Sequence, residues 1–450
     1  MKQSVTPCNA SLPPDDAPAG EGYPSALRGW LTVALLVLFY IVAMMDRKIL
    51  SLLIEPMKAD LDLTDVQVSL LYGAAFGITY SVGALPLGAA VDRFSRRTII
   101  FGGAVFWSLA SAACGLTHSF AGLFAARSGV GLGEAAMVPA SHSILADSFP
   151  PDRLSMPMSV YGTGAKIGSG VSLTIGSALI LAFPPMADFS LPLLGELRGW
   201  QLIFIAAGLP GVAIAMLIFL IPEPPRIRVT APMSYFDYAR LFWTNRRLMI
   251  SVHLALLLMI AMSTAMLAWT VPILVRVYGW SISDAGFVLG PILTLVPLAA
   301  VPVHGWLVDR AYRNGIMDAH LRHMTWMAIA SLPCASFAFF MPSPWVALAM
   351  VTFVVVLTAS FLGITSTVIQ LVVPSGLRGK AASVSLLIGA MLGTSLGSTA
   401  PALISDELFG KPSMIGPSVS IFTSIALFLA TIAYGVGRKG MRDHVTAKAG

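Results

Sequence analysis

Charge is scarce in this chain. Only 11% of its 450 residues are Asp, Glu, Lys or Arg, where a soluble protein carries roughly a quarter. No charge-rich block longer than about 25 residues separates the apolar segments, which excludes one large water-exposed domain on an anchor. Cysteine is nearly absent. Cys8, Cys114 and Cys334 stand alone, with no CxxC pair and no histidine at metal-ligand spacing, so no disulfide framework, no zinc site and no cofactor are expected. Residues 1–25 lack the basic, apolar, cleavable pattern of a signal peptide. Five prolines with Asp15, Asp16 and Glu21 read instead as a disordered tail, so the first apolar segment is expected to direct insertion itself. HExxH is also missing, and there is no ligand-binding ectodomain. An enzyme or a receptor is therefore not expected.

What is abundant is apolar side chain, 56% of the total. At about 20 residues per spanning helix, the hydrophobic stretches fall near 29–54, 67–91, 98–117, 120–146, 157–182 and 200–221. A second set follows near 248–277, 282–308, 323–341, 344–372, 380–404 and 417–437. The expected fold class is an all-α membrane protein with twelve transmembrane helices in two six-helix halves. The expected units are a disordered cytoplasmic tail (1–28), a first bundle (29–221), a cytoplasmic linker (222–247), a second bundle (248–437) and a cytoplasmic tail (438–450). The linker carries Pro222, Pro224, Pro225 and five arginines, then the aromatic-rich run from Ser234 to Trp243, which reads as an interfacial helix.

A net charge of +6 would suggest nucleic acid, but the positions of the 28 basic residues decide otherwise. With both termini in the cytoplasm, twenty of them fall in cytoplasmic segments, while only Lys58, Arg198, Arg276 and Lys411 fall outside. Short cytoplasmic loops collect Lys and Arg, so the basic balance is a topology signal and no nucleic-acid partner is expected. An internal repeat supports two related halves. Gly88-Ala-Ala-Val-Asp92-Arg93-Phe-Ser-Arg96-Arg97 ends the second stretch, and Gly305-Trp-Leu-Val-Asp309-Arg310-Ala-Tyr-Arg313-Asn ends the eighth. Gly164-Ala-Lys-Ile-Gly168 is echoed by Gly389-Ala-Met-Leu-Gly393 at nearly the same offset. Parallel six-helix halves of this kind are one architecture of secondary transporters, with the substrate site at their interface near the midplane.

The Gly-x-x-x-Asp-Arg-x-x-Arg-Arg loop and its copy resemble the signature of the major facilitator superfamily, over nearly the whole chain. A narrower resemblance lies in the first half. Asp46-Arg47, Asp92-Arg93-Phe94 with Arg96, Arg127-Ser-Gly-Val-Gly-Leu-Gly-Glu134-Ala and Gly168-Ser-Gly170 are similar to the Spinster family in a bacterial form. That resemblance implies export of lysophospholipids or sphingosine 1-phosphate, with the first-helix Asp and fourth-helix Glu coupled to protons. The chain departs from the family at Ala43-Met44-Met45, where Asn-Tyr-Leu is common, and at Lys166, a position usually uncharged.

An ion inside hydrocarbon costs about 2.5 to 3.5 kcal/mol on insertion scales, so such residues usually face a cavity and carry function. Six qualify: Asp46, Arg47, Lys48, Arg127, Glu134 and Lys166, all in the first half. Asp46 and Glu134 are the carboxylates, expected to couple protons, with static neutralisation of Arg47 and Arg127 as the alternative. Arg127 and Glu134 share one face of the fourth helix at about 10 Å, so Arg127 is expected to find Asp46 across the cavity. Lys48 is expected toward the outer boundary, snorkelling. The substrate head is expected on Arg47, Arg127 and Lys166, and the tail on an apolar second-half wall with Trp269, Phe287 and Phe361. The gate is expected from Asp92, Arg93, Arg96, Arg97, Asp309 and Arg310, with Asp92 near Arg378 and Lys380 and an arginine of the loop on Asp147. His253 and His304 are weaker relay candidates than packing residues.

The expected function is proton-coupled movement of an amphiphilic, lysolipid-like substrate by alternating access, by a monomer in the bacterial inner membrane. The expected partners are that substrate, protons and the bilayer. Multidrug export and organic-anion uptake are the alternatives.

Overall fold

The structure is a computed structural model. It describes residues 23–150, 153–192, 195–226, 234–374 and 377–449, without the side chains of 92, 155, 379, 386, 390 and 444–449. Among the described residues, ten helical runs are long and apolar enough to cross a bilayer. They are α1 (Ala26–Leu61), α2 (Asp65–Val91), α3 (Arg96–Cys114), α5 (Met156–Ala182), α6 (Gly199–Leu220), α7 (Arg246–Arg276), α8 (Ile282–Arg313), α9 (Ala319–Phe340), α10 (Pro344–Val372) and α12 (Pro412–Asp443). Two more runs complete the set. The fourth helix, α4, is Phe120–Glu134 continued by Met137–Ser148, and it carries Arg127, Glu134 and Asp147. The eleventh, α11, runs Arg378–Leu387, Ile388–Gly393, Thr394–Leu403 and Ile404–Phe409, with its second and fourth pieces π-helical. These two are less apolar or less regular than the rest. Among the described residues the result is an all-α membrane protein of twelve spanning helices in two six-helix halves.

Local chemistry sets the boundaries. The chain turns out of α1 at Asp62, in the left-handed region at φ 50°. The start of α2 is a capping box, in which the Thr64 hydroxyl accepts from the Gln67 amide at 3.1 Å and the Gln67 side chain accepts from the Thr64 amide at 2.9 Å. A helix at Tyr235–Thr244 follows the second capping box, Ser234 with Asp237. It exposes Tyr235, Phe236 and Trp243 and buries Tyr238, which suits a helix lying in an interface. The aromatic pattern pointed to this helix; residues 1–22, 227–233 and 450 lie outside those described. A hairpin of β1 (Asp188–Leu191) and β2 (Gly195–Arg198) between α5 and α6 was not legible, because two four-residue strands carry too little alternation to read.

Because the number of spans is even, α1 begins and α12 ends on one face, here called the terminal face; the other is the far face. The two halves meet differently at each. Toward the far face, Leu53, Ile54 and Met57 of α1 share one buried cluster with Met259 and Leu274 of α7. Toward the terminal face, Val33, Leu36, Ile100, Ile144 and Ile218 form a core made of first-half residues. The close crossing of α5 with α8 needs glycine: a Cβ on Gly290 would lie 2.7 Å from the Gly170 carbonyl oxygen.

Candidate functional site

A cavity of about 380 Å³ lies between the halves. On α1, Tyr40, Met44, Arg47 and Lys48 recur at helical spacing and face it. Lys166 and Ser169 of α5 complete the first-half side. The opposite wall is Met262 and Met266 of α7, Leu289 and Leu293 of α8, and Val351, Val354 and Phe361 of α10. A second cavity of about 560 Å³ shares Gly162, Lys166, Pro297, Ala359 and Leu362 with the first, and continues along α5, α8 and α10 to Asp309 near the terminal face. The space is thus approached from the terminal face.

Far-face closure is ionic as well as apolar. Arg276, at the end of α7, donates to Glu55 of α1 at 2.7 Å and grips both oxygens of Asp65 on α2 at 2.7 Å each. Lys58 pairs with the same Asp65. The Val66 amide, in the first turn of α2, donates to Asp406 of α11 at 3.2 Å. One arginine of the second half therefore bridges two helices of the first.

Behind α1, the deep charges are arranged by close helix packing. A Cβ on Gly133 would sit 2.7 Å from the Trp107 amide nitrogen of α3, so α4 lies against α3 almost backbone to backbone. This brings Glu134 under α1, where it forms an ion pair with Arg47. The Arg47 guanidinium also lies over the Phe76 ring, 4.1 Å from its centroid, and 5.3 Å from that of Tyr80, a cation–π clamp supplied by α2. Asp46 points the other way. Its Oδ1 accepts from the Ser111 hydroxyl of α3 at 2.9 Å, and Arg127 donates to its main-chain carbonyl, not its carboxylate, at 3.1 Å. Asp46 Oδ2, Glu134 Oε1 and two Arg127 nitrogens have no hydrogen-bond partner among the described residues.

The pairing differs from the sequence expectation. Glu134 is held by Arg47, and Arg127 is fully buried behind α1, away from the cavity walls. Adjacent residues on a helix point about 100° apart, and packing turned Arg47, not Asp46, toward the pore. Lys48 does not snorkel to a boundary: it lines the cavity, and its ammonium donates to the Tyr72 hydroxyl at 3.2 Å. Trp269 is also off the cavity, its indole N–H donating to the Ser398 carbonyl at 2.9 Å to tie α7 to α11. Phe361 does line the cavity, whereas Phe287 is exposed. His253 is a packing residue whose Nδ1 meets the Met249 carbonyl at 2.8 Å. His304 lies 2.8 Å from His323 and 2.9 Å from the Val356 carbonyl.

On the terminal face, Arg96 is buried in an ion pair with Asp147 of α4, and its main-chain amide donates to Glu223 at 2.7 Å. Glu223 also accepts from Ser95 and lies 3.6 Å from Arg97. Burial pushes the Glu223 carboxyl up, yet hydrogen bonds from Ser95 and from the Arg96 amide and side chain outweigh it and hold it below the ordinary carboxylate value. The signature loop thus staples the first half to its own exit strand. Glu223 was missed in the sequence because nothing local marks it among the linker prolines. Arg93, Asp309 and Arg310 are exposed, and Arg310 sits 5.4 Å from the Trp306 ring. The Asp92 side chain lies outside those described. Lys380 is 5.1 Å from the Tyr235 ring.

Two six-helix halves enclosing a midplane cavity, sealed on one face and open toward the other, define a secondary membrane transporter. The Major Facilitator Superfamily profile matches residues 36–401, and the chain belongs to that superfamily. It is 25% identical to an MFS-type efflux pump of Mycolicibacterium smegmatis, over 94% of this chain and 95% of that one. It is 25% identical to a probable L-galactonate transporter of Escherichia coli, over 76% of this chain and 75% of that one. Protein spinster of Drosophila melanogaster matches at 26% identity over 44% of this chain and 30% of its own. Among solved structures, a bacterial homologue of the human lysosomal transporter Spinster, inward-facing and unoccupied, aligns with a TM-score of 0.78 at 22% identity, covering 94% of this chain and 99% of that one. These relatives are transporters, not enzymes.

Proposed function

We propose that the protein moves an amphiphilic, lysolipid-like anion across the bacterial inner membrane by alternating access coupled to protons. The observation that carries this reading is the Arg47–Glu134 ion pair at the edge of a cavity whose opposite wall is uncharged and mostly apolar, with Ser263, Thr270 and Thr358 its hydroxyl residues. Glu134 is the principal proton carrier. Protonating it removes the charge that holds Arg47, and the freed guanidinium turns to the substrate head; losing the proton recaptures Arg47 and releases the head. Asp46 sits one residue away on α1 and serves the same relay from its Ser111 hydrogen bond. Arg127 positions α1 by gripping the Asp46 carbonyl. The tail lies along the methionine and valine wall, where flexible thioethers adapt to chain shape.

In this reading the terminal face is cytoplasmic, in keeping with its excess of basic residues. The halves 29–221 and 248–437 rock about the α5–α8 crossing, with 222–247 as the cytoplasmic connection. The signature-loop residues Arg96 and Arg97, with Asp147 of α4 and Glu223, keep the first half rigid during that motion. The similarity to an efflux pump over most of the chain favours drug export as a second reading, although a cavity lined by Arg47, Lys48 and Lys166 disfavours cationic drugs.

The test is transport in proteoliposomes of the parent and of Glu134→Gln, with and without an imposed pH gradient, using lysolipids, sugar acids and cationic dyes. The parent is expected to take lysolipids and to respond to the gradient. Glu134→Gln mimics the protonated acid and is expected to keep exchange while losing gradient acceleration. A Glu134→Gln protein that still responds fully to the gradient overturns the coupling role.

A further inference from the structure

We propose that Lys48 and Lys166 form a second anion seat in the cavity and make the transporter select head groups bearing two negative charges over zwitterionic ones. The inference rests on the amphiphile reading above for the tail, and adds the charge of the head.

Both side chains reach the same cavity, Lys48 from α1 and Lys166 from α5. The Lys48 ammonium has the Tyr72 hydroxyl at 3.2 Å and the Tyr72 ring centroid at 5.4 Å, and neither of these neutralises it. The Lys166 ammonium makes no hydrogen bond or ion pair among the described residues. The nearby carboxylates are otherwise engaged: Glu134 holds Arg47, and Asp46 faces α3 and the Ser111 hydroxyl. The walls of the first cavity therefore carry three cations, Arg47, Lys48 and Lys166, and no carboxylate among the described residues; Glu134 reaches Arg47 from behind α1, and Asp309 lines only the connected cavity toward the terminal face.

An uncompensated ammonium at membrane depth is costly, and an arriving anion removes that cost. Two surplus ammoniums are matched by a head with two negative charges. A phosphate monoester carries about −1.5 to −2 at neutral pH with three acceptor oxygens, and a dicarboxylate has the same charge. Lysine suits either, since it acts as a movable point charge with three donors and needs no planar fork. A zwitterionic head brings its own cation into a site already in cationic surplus, which is a repulsive element against it.

The experiment measures binding to the purified full-length protein at fixed salt and pH. The probes carry hydrocarbon chains of one length: an acylglycerol 3-phosphate, an alkyl succinate with two free carboxylates, and an acylglycerophosphocholine. Glycerol 3-phosphate is the tail-less control. The parent is expected to prefer both dianionic probes to the zwitterion by about tenfold or more. In the Lys48→Gln/Lys166→Gln double variant this ratio is expected to fall to within about twofold, while the double Lys→Arg variant keeps it. Should the double Gln variant fail to fold, each single Gln variant is expected to show a partial fall in the same ratio. A parent without the preference, or a preference undiminished by removing the lysines, overturns the seat and leaves lysolipid transport standing. Lysine-dependent binding of glycerol 3-phosphate as tight as that of its acylated form supports the seat and overturns the amphiphile reading. A preference for the phosphate alone, lost in the Lys→Arg variant, overturns selection by charge.

Discussion

Asp46, Arg47, Lys48, Arg127, Glu134 and Lys166 all stand on α1, α4 and α5, and three of them, Arg47, Lys48 and Lys166, line the cavity to which α7, α8 and α10 offer Met262, Met266, Leu289, Val354 and Phe361. Two halves related by an internal repeat have thus kept one scaffold and divided its chemistry. Buried ions need fixed partners in fixed places, because an unpaired charge costs several kcal/mol. An apolar wall needs only area and adaptable shape. The first half accordingly fixes its ions with a cation–π clamp, Arg47 over Phe76, whereas close glycine packing is common to both halves, as at Gly133 against Trp107 and Gly397 against Ala261. The second half joins the ionic chemistry at the rim, through Arg276 on Glu55 and Asp65.

Removing the central pair should have the largest effect. Arg47→Met strands Glu134 in the interior, at a cost of about 3 to 5 kcal/mol, and is expected to lower gradient-driven transport by roughly a hundredfold. The double variant Arg47→Met/Glu134→Gln removes both charges. It should recover thermal stability without recovering coupled transport. A single variant with the parent's stability and rate would show the pair to be incidental.

An intermediate effect is expected at the far-face rim, where the second half supplies an ionic link to the first. Arg276→Gln releases Glu55 and leaves Asp65 to Lys58 of its own half, and should favour opening of the far face by about 1 to 3 kcal/mol. Spin labels across the far-face ends of α1 and α7 would report longer distances by double electron–electron resonance. Unchanged distance distributions would mean that the apolar cluster around Leu53 and Met259, not the arginine, keeps that face shut.

The smallest effect is expected for Trp269→Phe, which loses one hydrogen bond to Ser398 and touches no cavity wall. Stability should fall by about 1 kcal/mol, with KM unchanged to within about twofold. A several-fold rise in KM would return Trp269 to the substrate site and weaken the contrast between the halves.

Much of the fold was legible because its signals are local. Spans of about 20 apolar residues stand out wherever they occur, and the repeated Asp-Arg loops mark the two halves. The six deep charges could be named for the same reason. Their partners could not. Glu134 has two arginines within reach along the chain pattern, and the choice between them was made by a contact with a residue 87 positions away. Lys48 looked like a boundary residue because only its position along the helix was readable, not the direction it faces. Glu223 carried no pattern at all, yet it closes the loop of Ser95, Arg96 and Arg97.

Composition and periodicity alone thus determined that the chain is an all-α membrane protein and where its apolar spans fall. These follow from the one-dimensional cost of placing polar groups in hydrocarbon. Which face of each helix meets which neighbour was decided in three dimensions. A turn of about 100° per residue separates Asp46 from Arg47, and the packing of α4 against α3 and of α1 against α5 sets that angle. Tertiary structure therefore chose the pore-facing arginine, brought both lysines to one cavity, and left Arg127 and Trp269 behind its walls.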